Sequence, residues 1–113
     1  MAEDKTAALR KQLKVKASVV KRLVKEQKYY TQENQDLKLK LDKLVANNAD
    51  EWDIKNGRRL LEESEKMIAD SNKRIGDAAQ ELRSLIMHSK ADPALSEAEE
   101  LLNAEEEMEA ATL

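Results

Sequence analysis

The chain has no cysteine, no phenylalanine, one proline, two glycines and one histidine. Without cysteine there is no disulfide framework and no thiolate nucleophile, which suits a reducing compartment. One histidine, His88, supplies no base-and-orienter pair for a nucleophilic triad. It also leaves no Cys/His set from which to build a zinc site. Aromatic residues make up only 3% of the chain, too few to interleave with cations as in a nucleic-acid surface, and the net charge of −3 also argues against nucleic acid. No apolar run approaches ~18 residues, so no membrane span is expected. Met1–Lys5 lacks the apolar core of a secretory signal, and the cytoplasm is the expected location.

What the 113 residues do contain is charge, 38% of the total, in a mixture of Ala, Glu, Lys, Leu and Arg. That mixture is typical of long helices and coiled coils. The expected fold is all-α, an elongated antiparallel three-helix bundle with two long helices and a shorter acidic third, forming a single domain over residues 1–113. Its length suffices for one core and not for two.

The first helix is expected over about residues 7–46, where neither Gly nor Pro occurs. One seam row runs Leu13, Val20, Gln27, Asn34, Leu41, and the other Leu9, Lys16, Leu23, Tyr30, Leu37, Leu44. This is the seven-residue a/d pattern of a packed helix, flanked by Ala17, Val24 and Val45. Asn47-Asn48-Ala49-Asp50 breaks the pattern, with Asp50 as N-cap of the next helix. The second helix, about 51–88, repeats Ile54, Leu61, Ile68, Ile75 and Leu82 every seven residues. Its companion row is small: Gly57, Ser64, Ser71, Ala78, then Leu85. Packing should therefore tighten toward Ala78 and Leu85. Asp92-Pro93 reads as N-cap and first helical residue of a third helix, about 93–110. Ser96 with Glu99 offers a capping box instead. Leu95, Ala98, Leu101, Leu102 and Met108 form its apolar side, and its glutamate-rich end should fray.

Charge is strongly polarised. Residues 1–28 hold nine Lys/Arg and three acids, a net of +6, whereas residues 96–113 hold seven glutamates and no base. Short connections make successive helices antiparallel, which brings those glutamates beside the basic start of the first helix. The third helix is too short to follow the first along its ~60 Å length. One end should be a three-helix bundle and the other a helical pair.

Acid pairs such as Glu62/Glu63 and Glu99/Glu100 read as a solvated helix face, because a thin helical rod offers no shielded pocket to split their pKa values. His88, near a helix C-terminus, reads as a dipole partner. No catalytic, metal or cofactor residues are assigned, and the chain is read as a binding protein. Lys11, Lys14, Lys21, Lys25 and Lys28 fall on the b and f positions opposite the seam, either as a solubilising face or as a strip for an acidic partner. Tyr30 sits in the seam. Trp52 either covers the inter-helix turn or, if exposed, anchors a partner. Gln27 and Asn34 in the seam read as register-fixing residues.

The run Lys14-Val15-Lys16, then Val19-Val20-Lys21-Arg22-Leu23-Val24-Lys25-Glu26 with Tyr30, closely resembles the first helix of the tubulin-binding cofactor A family. Trp52-Asp53-Ile54-Lys55, Glu63-Ser64, Met67-Ile68 and Lys73-Arg74 extend the resemblance over roughly Leu13 to Leu82. It implies a cytoplasmic, cytoskeleton-associated chaperone without nucleotide or metal, which binds β-tubulin monomers and passes them to other tubulin-folding cofactors that assemble the αβ heterodimer. Related chains commonly carry a proline after the Met-Ile pair. Here Ala69 stands in that place, and the sequence leaves open whether the helix kinks there.

A structural three-helix repeat of the spectrin sort is the main rival, but it should recur in tandem. A prefoldin-like subunit needs β-hairpins for which Asn47–Asp50 leaves no room. At the two-helix end, Leu37, Leu41, Leu44, Val45, Ile54, Leu60 and Leu61 exceed what one narrow seam can bury. The surplus is expected to form a patch covered by β-tubulin or, in a homodimer, by a second copy, unless a longer third helix, or Trp52 and the lysine stems, shield it. The candidate partner contacts are Lys14, Lys21, Arg22, Lys25, Lys28, Tyr30, Trp52, Asp53, Lys55 and Leu60.

Overall fold

The computed structural model describes residues 2–112, with side chains from 4 to 111; Met1 and Leu113, the ends of the expected domain, lie outside the described residues. Three helices make up the fold: α1, Ala2–Ala46; α2, Glu51–Lys90; and α3, Glu99–Thr112. No strand occurs among the described residues, and the class is all-α as expected. The first helix begins at Ala2 rather than near residue 7, since no Gly or Pro interrupts residues 2–6. The second runs unbroken through Ala69 to Lys90, two residues past its expected end.

The turn between α1 and α2 is set by three short-range bonds. Asn48 N–H donates to the Val45 carbonyl at 3.2 Å and Ala49 N–H to the Leu44 carbonyl at 2.9 Å. These are the two bonds of a Schellman cap, and the residue between them must adopt a left-handed backbone. Asn48 does so, with φ of 49°, a conformation that asparagine tolerates better than most residues. Asp50 then opens α2, its carbonyl accepting the Ile54 N–H at 3.1 Å.

The start of α3 differs from expectation. Asp92-Pro93 begins a turn, not a helix: the Leu95 N–H donates to the Asp92 carbonyl at 3.0 Å, and the Ala98 N–H to the Leu95 carbonyl at 3.0 Å. The Asp92 side chain accepts the Ala94 N–H at 2.9 Å, and the Ser96 hydroxyl donates to the Pro93 carbonyl at 3.2 Å instead of capping a helix. Proline after aspartate suits the first position of such a turn as well as it suits a helix start. The winding places Leu95 at zero exposure. Ala98 is the cap residue actually used, its carbonyl accepting from Leu102 N–H. α3 runs to Thr112, two residues past its expected end.

The chain divides into two compact units, Met1–Val24 with Lys73–Leu113, and Lys25–Asn72. The first unit is three-helical. Leu13, Ala17 and Val20 of α1 pack with Leu82 and Ile86 of α2 and with Leu101 and Ala104 of α3. Val24, Ala78, Leu85, Ala98, Met108 and Ala111 close around that cluster. Lys16 reaches Glu81 at 2.9 Å and Lys90 reaches Glu105 at 3.6 Å, but these pairs are half exposed and contribute little beside the core. Leu102, expected on the apolar side of α3, is 53% exposed.

The second unit is an antiparallel pair made by the end of α1 and the start of α2. Gly57 lies against the Leu41 and Leu44 side chains, and Gln27 donates to Asn72 at the far end. Leu37, Leu41, Leu44, Ile54, Leu61 and Ile68 are only half-buried along this seam. The buried side chains there are Asn34, Ser64 and Ser71.

Candidate partner-binding surfaces

Neither unit brings together a group of three or more His, Cys, Asp or Glu able to hold a metal, among the described residues. None of the three helices is long and apolar enough to cross a membrane. What the helices position is charge and exposed apolar surface.

The lysine stripe of α1 is divided between the units. Lys14, Lys21 and the neighbouring Arg22 belong to the first, and Lys25 and Lys28 to the second; all five are exposed. In the first unit, a groove runs between the outer side of α1 and α3. Lys14, Ala17, Ser18 and Lys21 line one wall, and Glu99, Glu100, Asn103, Glu106 and Glu107 the other. The third helix therefore lays its glutamates opposite part of the stripe. Arg22 shares a separate shallow hollow with Lys14, Val15 and Val19. His88 occupies the last turn of α2, the end of a helix that favours basic side chains.

In the second unit, Tyr30 is half-buried, as its seam position requires, and stacks edge-on against Tyr29 with ring centroids 5.9 Å apart. Trp52 does not cover the turn; it is 70% exposed. A hollow on the outer face of α2 brings it together with Lys55, Asn56, Arg58, Arg59 and Glu62. Asp53 stands outside that hollow, in the first turn of α2, where its carboxylate favours the helix N-terminus. Leu60 is only marginally exposed at 37%. More open apolar side chains are Tyr29, Leu39, Val45 and Met67. Arg58, Arg59, Leu39 and Met67 were not among the sequence candidates. Arg59 stands seven residues after Trp52 and Lys55 three, so helical spacing alone could have grouped them.

The family model for tubulin binding cofactor A matches residues 8–108. The chain belongs to the tubulin binding cofactor A family. Curated relatives agree with the family match. Human tubulin-specific chaperone A is 37% identical over 90 residues, covering 80% of this chain and 81% of the human one. The chicken protein of that name is 36% identical over 103 residues, covering 91% and 93%. Among solved structures, tubulin folding cofactor A from Arabidopsis thaliana superposes with a TM-score of 0.88 at 29% identity, covering 94% of this chain and 97% of that one. The human tubulin chaperone cofactor A structure gives 0.80 at 33% identity, covering 93% and 99%. Family members are chaperones without enzymatic activity. In this chain, the segments Lys14–Tyr30 and Trp52–Lys55, which resemble the family, hold nine of the ten candidate contacts.

Proposed function

We propose that this chain is a tubulin-folding chaperone that binds β-tubulin monomers in the cytoplasm and passes them on for assembly of the αβ heterodimer. The observation that carries the reading is the family match over residues 8–108, together with relatives named tubulin-specific chaperone A. The geometry supports it in a general way. A protein that holds a large client needs broad surface more than a pocket. Helices of 45 and 40 residues provide long exposed faces with cations and large apolar side chains on them. The partner supplies what these side chains lack, acidic and apolar counterparts. Hand-over requires that the complex dissociate without chemistry, by competition from other tubulin-folding cofactors.

The test is a binding assay with separated tubulin subunits. The tagged chain should retain β-tubulin and not α-tubulin, with no hydrolysis of ATP or GTP of its own. Retention of neither subunit, or preference for α-tubulin, would overturn the proposal.

A further inference from the structure

We infer that the outer face of α2 around Trp52, Lys55 and Arg58, more than the lysine stripe of α1, is where an acidic segment of the bound client docks. This rests on the client-binding reading above and adds to it a location and a chemistry.

Two basic surfaces compete for that role. The stripe of α1 is opposed within its own unit: Lys14 and Lys21 face Glu99, Glu100, Glu106 and Glu107 of α3 across one groove. An acidic chain entering that groove would meet glutamates as well as lysines, and like charge raises the cost of approach. The remaining stripe residues are Lys11, Lys25 and Lys28; Lys25 and Lys28 have Tyr29 beside them, its ring edge-on against Tyr30.

The surface on α2 has no such opposition. Its unit contains two helices only, and no third element lines the hollow. Trp52 is the only tryptophan in the chain and stays 70% exposed. An indole is the side chain that most often anchors a protein interface, provided that a partner removes it from water. Arg59 is fixed as a wall by a bond to Glu63 at 2.9 Å and another to Asn56 at 2.9 Å. Lys55 and Arg58 make no ion pair among the described residues, so their charges remain for a partner. An arginine so placed can hold a carboxylate with two parallel bonds.

The negative groups limit how the segment can lie. Glu62 closes the hollow at one end, and Glu51 and Asp53 flank Trp52 along the chain without lining it. Carboxylates are accepted only between them, against Lys55 and Arg58, with an apolar side chain over the indole. The occupant is therefore a peptide segment with one apolar residue beside acidic ones, rather than any polyanion.

Because Trp52 is unique, it reports on its own surface. The full chain labelled with 5-fluorotryptophan gives one fluorine resonance, to be followed on adding β-tubulin and, separately, a glutamate-rich peptide bearing one leucine. Both should shift the resonance, and the shift with peptide should fade as salt is raised. In the unlabelled chain, Trp52→Ala and the pair Lys55→Glu/Arg58→Glu should each weaken β-tubulin binding about tenfold with helicity unchanged. If the wild-type chain retains no β-tubulin, the proposed function fails, and the peptide titration alone decides the docking surface. If it retains β-tubulin while the resonance stays put and the variants bind normally, the docking surface is wrong and the function stands. A shift that depends on the chain's own concentration without any partner would make a second copy the occupant, and overturn the inference.

Discussion

The side chains buried in the two units are opposite in kind. In the three-helical unit they are Leu13, Ala17, Val20, Leu23, Ile75, Leu82, Ile86, Leu95, Leu101 and Ala104, with Ser89 the polar exception. In the two-helix unit they are Asn34, Ser64 and Ser71. Two of these three carry a buried atom with no hydrogen-bond partner, the Asn34 amide nitrogen and the Ser71 hydroxyl. The same unit keeps Tyr29, Leu39, Val45, Trp52, Leu60 and Met67 exposed. The three-helical unit thus closes ten apolar side chains into a core although Val15, Met87 and Leu102 stay exposed. The two-helix unit leaves its seam leucines and isoleucines half-buried and buries only polar side chains. Regions with few buried apolar contacts open at lower free energy than the core, and apolar side chains left outside a fold are available to a partner.

The largest expected break in this contrast comes from the core. Leu82 has zero exposure and belongs to the cluster that all three helices build. Leu82→Ala should cost about 2–5 kcal/mol in chemical denaturation, the range for a leucine removed from a closed core. Leu61→Ala, at a half-buried position of the two-helix unit, should cost about half as much or less, since less area returns to water. Equal losses would show that the two units are packed alike.

Asn34→Leu sharpens the comparison from the other side. It removes a buried amide without a partner and extends the row of apolar seam residues. Stability should rise by about 1–2 kcal/mol. A loss of stability would mean that the asparagine fixes the register of the pair.

The two glycines, one in each unit, give the smallest effects. Gly76 has nothing within 4 Å of a would-be Cβ, so Gly76→Ala should gain about 1 kcal/mol from helix propensity alone. A Cβ on Gly57 would stand 3.2 Å from the Leu41 Cδ1. In Gly57→Ala the propensity gain is offset by displacing that leucine, and the net change in melting temperature should be near zero.

Much of this asymmetry was legible in the sequence. The repeats at Leu13/Val20 and Leu61/Ile68/Ile75/Leu82 located the seams, because a seven-residue period has one structural solution in a helix. The small companion row Gly57, Ser64, Ser71 pointed to weak packing in the first half of α2. Three things were not legible. Asp92-Pro93 has the same chemistry at a helix start and at a turn, and the burial of Leu95 is a tertiary fact. Ile86 lies outside the two seam rows and is buried because it packs with Leu101 and Ala104 of α3, whereas Ser89 continues the Ile54–Leu82 row one residue past the expected end of the helix. The division of the lysine stripe also depends on where α3 lies. Net charges predicted that glutamates would approach the basic segment, but not that Lys14 and Lys21 would be the ones opposed.

Residue-resolved hydrogen exchange of the free chain tests the central claim most directly. Amides of the three-helical unit, around Ile75–Ile86 and Leu101–Ala104, should exchange only through global unfolding and so be the slowest. Amides around Gln27–Asn34 and Leu61–Ser71 should exchange faster, through local opening of a pair with a polar interior. Equal protection in the two units, or slower exchange in the two-helix unit, would contradict the account.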